Sequence, residues 1–348
     1  RYLIVTSVYQ GSGPISVRDF HNLIGRAGRA DEHTEGSILF ADNDLFDERA
    51  RTGKGRWKWR SIKSLLNPGN SEPCSSSLLT IFEPLSSNEG FPPVQLGALE
   101  VVSAYVAEAL DGLVEKLVSE HHELNAERVA DQIRWKVNIM SAIENYLMSY
   151  THETEQALQD AEVAQLATGT LAYYLADEAQ RNELVQIFLE LSHNMEERVS
   201  QPEQRRVYGK TLYGVQTSIK IEGWIEEHIE DLLASNDEDE LLTAIWPVLA
   251  DNTSNNVFRK CDPSATLLDM AREWIHGKAY NELLAVLTNS HVCIVAGTQR
   301  RQPKLESVID ICENGFAYDG SLLVAALTEI ISLIRPDGTE AVITKLLE

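Results

Sequence analysis

Apolar residues recur along most of the chain at spacings of three and four. Leu96, Leu99, Val102, Val106, Leu110, Leu113 and Leu117 form one stripe, and Val129, Ile133, Val137, Met140, Ile143 and Leu147 form a second. Both predict amphipathic helices that bury one face. The same pattern predicts helices near 153–178, 180–198, 211–234, 238–250, 264–288, 303–314 and 320–334, with Gln201-Pro202-Glu203 breaking them into two sets. No fixed-period repeat is evident, so helical bundles are expected rather than a solenoid. The start of the chain differs. Tyr2 to Ser7 and Gly36 to Ala41 are short, continuous apolar runs of the kind buried on both faces of a parallel sheet. Between them, Gly11-Ser12-Gly13-Pro14 signals a loop, and Ser16 three residues before Asp19 signals a helix N-terminus. Strand, helix, strand is one βαβ-like unit, which cannot bury both faces of a sheet by itself.

The expected fold class is therefore mainly α, with a short α/β piece at the N-terminus followed by helical bundles. Four segments are predicted: 1–44 as α/β, 45–95 as a basic and then Ser/Pro-rich connector related to a winged helix, 96–200 as a helical domain, and 201–348 as a C-terminal helical domain. A length of 348 residues and a hydrophobic share of 43% suffice for two or three cored domains. No run approaches the roughly 18–20 consecutive apolar residues of a membrane span, and residues 1–20 lack signal-peptide features, so a soluble, cytoplasmic protein is expected. Cys74, Cys261, Cys293 and Cys312 lie far apart without a CxxC pair, which fits reduced thiols and no structural zinc. Arg1 in place of Met suggests part of something longer.

Charge changes this picture. Thirty Lys and Arg against 53 Asp and Glu give −23, which at face value argues against a phosphate-binding surface. Residues 1–70, however, carry eleven Lys or Arg and eight Asp or Glu, whereas the other 278 residues carry nineteen against forty-five. Phosphate chemistry is thus expected in the N-terminal fifth, where Asn22-Leu23-Ile24-Gly25-Arg26-Ala27-Gly28-Arg29 stands out. On a helix, Asn22, Arg26 and Arg29 fall within about 60° of one another and opposite Val17, Phe20, Ile24 and Ala27. Two guanidiniums one turn apart suit polyphosphate oxygens. Gly25 and Gly28 each cost about 1 kcal/mol inside a helix, which points to close approach by another group.

This string resembles the sixth signature motif of superfamily 2 DEAD/DEAH-box helicases, QxxGRAGR in the superkiller-like group, with Asn22 where Gln is usual. The preceding strand, Pro14, Phe20 and the Glu35-Gly36 approach to a closing strand match as well. So does Glu72-Pro73 followed by Ser76-Ser77-Leu78, which resembles the EP-x-x-S-x-L passage after the motor core. The resemblance covers about 80 residues. It implies that residues 1–44 are the end of a second RecA-like motor lobe, that ATP and Mg2+ sit between two lobes in the intact parent, and that Arg29 is the arginine finger. Arg26 would stand beside it on the γ-phosphate, with Asn22, Gly25 and Gly28 near the nucleotide. A G-x-x-x-x-G-K-[ST] loop and a D-E-x-[HD] string are both missing from the chain, and Thr52-Gly53-Lys54-Gly55 does not substitute. This chain alone is therefore expected to bind no cofactor and to hydrolyse no ATP.

Two further groups are candidates for nucleic-acid contact. Arg49, Arg51, Lys54, Arg56, Lys58, Arg60 and Lys63 are interleaved with Trp57 and Trp59, a mixture that pairs phosphates and stacks on bases. A charged connector anchored by its tryptophans fits equally. Arg272 and Trp274 lie on a helix like the strand-guiding ratchet of these helicases, although Leu267, Leu268, Met270, Ala271, Trp274 and Ile275 also read as a core stripe. Single-stranded or duplex nucleic acid, DNA rather than RNA, is the expected partner, with a missing first motor lobe and no membrane. His121-His122-Glu123 lacks the HExxH spacing, and Asn236-Asp237-Glu238-Asp239-Glu240 reads as a helix N-terminus rather than a metal site. The alternative function is a non-catalytic, acidic helical platform for a protein partner, similar to the accessory region of an antiphage-defence helicase.

Overall fold

The computed structural model describes residues 2–10, 13–27, 37–41, 57–70, 75–154, 157–235, 237–297 and 299–347. They form two compact units, Arg1–Ser75 and Ser76–Glu348, and the protein is mainly α.

In the first unit, β1 (Tyr2–Val5) is followed by the short antiparallel pair β2 (Tyr9–Gln10) and β3 (Gly13–Pro14), then α1 (Val17–Ala27), β4 (Ser37–Phe40) and α2 (Trp57–Leu65). β1 and β4 pair in parallel, Tyr2 opposite Ser37 and Val5 opposite Phe40, so α1 is the crossover of a βαβ unit. The helix starts where capping chemistry predicts. The Asp19 backbone N–H donates to Ser16 Oγ at 3.0 Å, and the Ser16 hydroxyl donates to the Asp19 carboxylate at 2.6 Å. Val17 and Phe20 are buried, Ile24 packs beside them, and the Phe20 ring stacks on Phe40 with centroids 6.0 Å apart. Residues 57–65, expected within a connector, are instead part of this core. Trp59, Ile62 and Leu65 recur every third residue on α2 and supply apolar surface to it, and His21 Nε2 lies 2.9 Å from the Leu65 carbonyl oxygen. The remaining sheet positions face outward: Tyr2 is 76% exposed, Ile4 62% and Leu39 50%.

The second unit begins with a 3₁₀ turn, Ser77–Phe82, and a bridge between Leu85 and Val94. Its helices are α3 (Ala98–Val106), α4 (Leu110–Glu120), α5 (Ala126–Thr154), α6 (Asp160–Thr168), α7 (Leu171–Leu175), α8 (Glu178–Arg198) and α9 (Pro202–Thr211). Then come α10 (Val215–Ala234), α11 (Glu238–Asn252), α12 (Asn256–Arg259), α13 (Thr266–Ile275), α14 (Tyr280–Asn289), α15 (Leu305–Asp310), α16 (Ser321–Ile334) and α17 (Glu340–Leu347). One continuous core runs from Ile81 to Leu346, and α9 packs on both α5 and α16. The predicted division near residue 200 is accordingly spanned by packing.

Periodicity located the helices but not all their ends. The first stripe is cut at Glu108, whose φ is +54°, and the stretch 264–288 is cut at Gly277, φ +81°. Both residues sit in the left-handed region that stops a helix. Conversely, 303–314 and 320–334 fuse: a π-helical segment, Ile311–Gly320, joins α15 to α16. The resulting rod, Leu305–Ile334, is long and apolar enough by composition to cross a membrane, but Leu323, Ala326, Leu327, Ile330 and Ile331 are buried in the core of the unit. Arg300 and Arg301 lie on a strand. β5 (Cys261–Asp262), β6 (Cys293–Ala296) and β7 (Gln299–Arg301) form a small antiparallel sheet, across which Arg300 reaches Asp262 at 2.7 Å.

Candidate nucleotide and strand-binding surfaces

The motif helix divides as its sequence predicts. While Val17 and Phe20 are buried, Asn22 and Gly25 are exposed on the opposite side of α1. Among the described residues no atom lies within 4 Å of where a Cβ on Gly25 would stand, so their packing does not explain the glycine. The position is open to an incoming group. Arg26 belongs to α1, whereas its side chain, together with Gly28 and Arg29, lies outside the described residues. Among the described residues no three His, Cys, Asp or Glu side chains gather to hold a metal ion.

In the basic segment, Arg56 and the side chains of Trp57 and Lys58 lie outside the described residues. Trp59 is half-buried against the first core and carries Lys63 Nζ at 5.7 Å from its ring centroid, and Arg60 is exposed beside it. Trp59 therefore anchors α2 to the first core.

On α13 the two candidates have different surroundings. Arg272 is held by Asp269 at 3.0 Å and by Thr243 Oγ1 at 2.8 Å. Trp274 packs on Phe316, centroids 5.6 Å apart, and joins an aromatic group with Trp246 and Phe258. The core stripe read from this helix is present in its buried Leu267, Met270 and Ala271. The acidic run before α11 is a helix start, because Asp237 accepts the Glu240 N–H at 2.8 Å.

Most other cations of the second unit are committed locally. Lys116 pairs with Glu100, Arg198 with Glu108, Arg206 with Glu203, Lys210 with Glu329, Lys260 with Glu127 and Asp131, and Arg335 with Glu230. Each such pair contributes little stability at an exposed site, and with nineteen Lys or Arg against forty-five Asp or Glu residues 71–348 stay strongly acidic.

Two buried carboxylates escaped the sequence reading. Glu144 is fully buried and accepts the Tyr105 hydroxyl at 2.8 Å, Asn194 Nδ2 at 3.1 Å and the Val215 N–H at 2.8 Å. Burial raises its pKa, against the lowering effect of those three donors. Asp319, 6% exposed, accepts the Thr253 hydroxyl at 2.8 Å and the backbone N–H groups of Ser254 and Asn255 at 2.7 and 3.1 Å. No local string announces either residue; each looks like a solvated helix position until tertiary packing surrounds it. Two of the thiols, Cys261 and Cys312, are buried as well, while Cys293 is half-buried. Burial pushes both Cys261 and Cys312 up to about 12, which makes them poor nucleophiles; Cys74 lies outside the described residues. No protein-family description and no curated protein matches this chain.

Proposed function

We propose that the chain is the C-terminal part of an ATP-dependent nucleic-acid helicase or translocase. Its first unit brings Arg26 and Arg29 to an inter-lobe ATP site, and its helical unit guides a strand. The observation that carries this reading is the half-built βαβ unit: a parallel strand pair with one face packed by α1 and Tyr2, Ile4 and Leu39 left outward, and the motif helix turning Asn22 and Gly25 to solvent. A parallel sheet needs cover on both faces, and a second motor lobe would place its remaining strands and layers there. ATP and Mg2+ would be held chiefly by the partner lobe, with the guanidiniums neutralising charge that develops on the transferred phosphoryl group.

The 348-residue chain is expected to give no nucleic-acid-stimulated ATP hydrolysis. Turnover above background from the purified polypeptide would sink the idea that another lobe is needed.

Strand binding is assigned to the segment around Arg56, Lys58 and Arg60. Converting these three to alanine is expected to lower affinity for single strands and to reduce the slope of log K against log salt by about 2, since each phosphate contact contributes about 0.7. Anisotropy titrations across a salt series measure it, and an unchanged slope would remove the segment from the interface.

The second reading is an acidic platform for a protein partner. It is favoured by the ion pairing of the second unit, where Arg272 is bound to its own helix and to Thr243, and where most cations face a carboxylate. A surface of that kind repels a phosphate backbone. Strand affinity that survives loss of the basic segment would still allow the motor reading; absence of any strand binding by the intact chain would favour the platform.

A further inference from the structure

The second unit contains a half-open cavity of about 350 Å³, walled by Leu241, Ile245 and Leu249 of α11, Trp274 of α13, Phe316 of the π segment and Val324 of α16. Close-packed interiors rarely leave voids larger than a water molecule, and this volume falls in the range of ligand pockets. We propose that it is a binding site for a small, ring-bearing, largely apolar organic molecule with a hydrogen-bond donor at one end. The inference is independent of the motor reading.

The wall chemistry favours a ring. Phe316 stands between two indoles, 5.6 Å from Trp274 and 6.3 Å from Trp246 by centroid, at interplanar angles of 47° and 59°. Rings set at such angles offer both faces and edges to an aromatic guest. The polar end follows from the rim. Glu238, Ser321 and Lys345 also line the cavity. Lys345 donates to the Ser235 carbonyl at 2.8 Å, while the Glu238 carboxylate has no hydrogen-bond or ion-pair partner among the described residues. A donor on the guest, an amine or hydroxyl, would meet that carboxylate.

The backbone keeps the space open. The π segment Ile311–Gly320 brings Phe316, Ala317 and Gly320 to the cavity, and its ends are tied down from one loop. Asp319 receives Thr253, Ser254 and Asn255, and Asn255 Nδ2 donates to the Asp310 carboxylate at 3.1 Å and to its carbonyl at 3.2 Å. Collapse of the cavity would require breaking this buried set, so the pocket is preformed. π-Helical turns of this kind occur often at functional sites.

The test titrates the 348-residue chain with N-phenyl-naphthylamine, a neutral aromatic amine whose fluorescence rises in apolar surroundings. Saturable one-to-one binding is expected. Ala325 and Ser321 lie one turn apart on the exposed rim of α16 and line the cavity, so Ala325→Phe and, separately, Ser321→Leu should each weaken binding at least about tenfold by filling it. Trp274→Ala should cost about tenfold through lost ring contacts. Near-ultraviolet circular dichroism of each variant establishes that it is folded, and the two rim variants guard against one failing to fold. A linear, unsaturable rise with dye, or wild-type affinity in either folded rim variant, would overturn the proposal.

Discussion

Arg29→Ala, made in a polypeptide that carries both motor lobes, is expected to lower ATP turnover by about 10³–10⁵-fold while nucleotide binding stays measurable. The physical reason is differential. On the motor reading the nucleotide's ground-state charge would be met by the other lobe, whereas a finger guanidinium acts mainly on charge that develops on the equatorial oxygens as the phosphoryl group moves. Arg29→Lys should rescue little, because an ammonium on a flexible stem lacks the fork and the fixed geometry. Asn22 and Gly25 face solvent on the same helix while Phe20 is buried, so the outward face can be altered without disturbing the core. Steady-state turnover and fluorescent-nucleotide binding should be measured together. Turnover within about tenfold of the parent would exclude Arg29 from the finger role and leave the acidic platform as the better account.

The largest expected effect on stability is at Glu144. Truncation to alanine strands the Tyr105 hydroxyl, Asn194 Nδ2 and the Val215 N–H in the core, and each buried donor left alone costs about 1–3 kcal/mol. A total loss of about 3–5 kcal/mol is expected, a large share of the about 5–15 kcal/mol that holds an ordinary domain folded. Gly214→Ala should act on the same spot. Its methyl would stand 2.6 Å from Glu144 Oε2 and from Ser141 Oγ, and 2.9 Å from the Ser141 Cα, so something must shift, at about 1–3 kcal/mol. In the Glu144→Ala background the new methyl meets less, and the two losses should sum to less than their separate values. Simple additivity in urea denaturation would show that Gly214 and Glu144 are not coupled.

Glu144→Gln separates charge from shape. Burial raises the folded pKa of Glu144 above its ordinary 4.5, so the folded state binds the proton more tightly than the unfolded chain. Stability from this group is then fully present below about pH 4.5 and is lost as pH rises through the folded value. Glutamine carries no such dependence, and a flip of the Asn194 amide restores its hydrogen bond. The parent should lose stability relative to Glu144→Gln across the range where pH rises from about 4.5 through the raised folded value. Parallel curves would mean that Glu144 is ionised in the folded protein across that range.

The α1 cap, its buried Val17 and Phe20 and its outward Asn22 were legible from the string because they depend on residues within a turn or two of one another. The same holds for Asp237 at the start of α11, and for the buried positions of the second stripe, Val129, Ile133, Met140, Ile143 and Leu147. Helix ends were less legible. Glu108 and Leu212 both take positive φ without being glycine, and the π segment joins two helices across Gly315 and Gly320, where composition suggests a stop. Such choices follow from packing partners far along the chain.

Local periodicity and charge distribution alone therefore determined a mainly helical protein with a βαβ start, an arginine-bearing motif helix and an acidic remainder. Those properties arise from short-range sterics, capping and one-dimensional patterning. Tertiary structure alone decided that α2 belongs to the first core, that Glu144 and Asp319 are buried among donors, and that Trp274 lines a cavity beside Phe316. Burial is a property of what surrounds a residue, and the surrounding groups come from far along the sequence, as where Gln216 Nε2, 111 residues away, donates to the Tyr105 carbonyl beside Glu144.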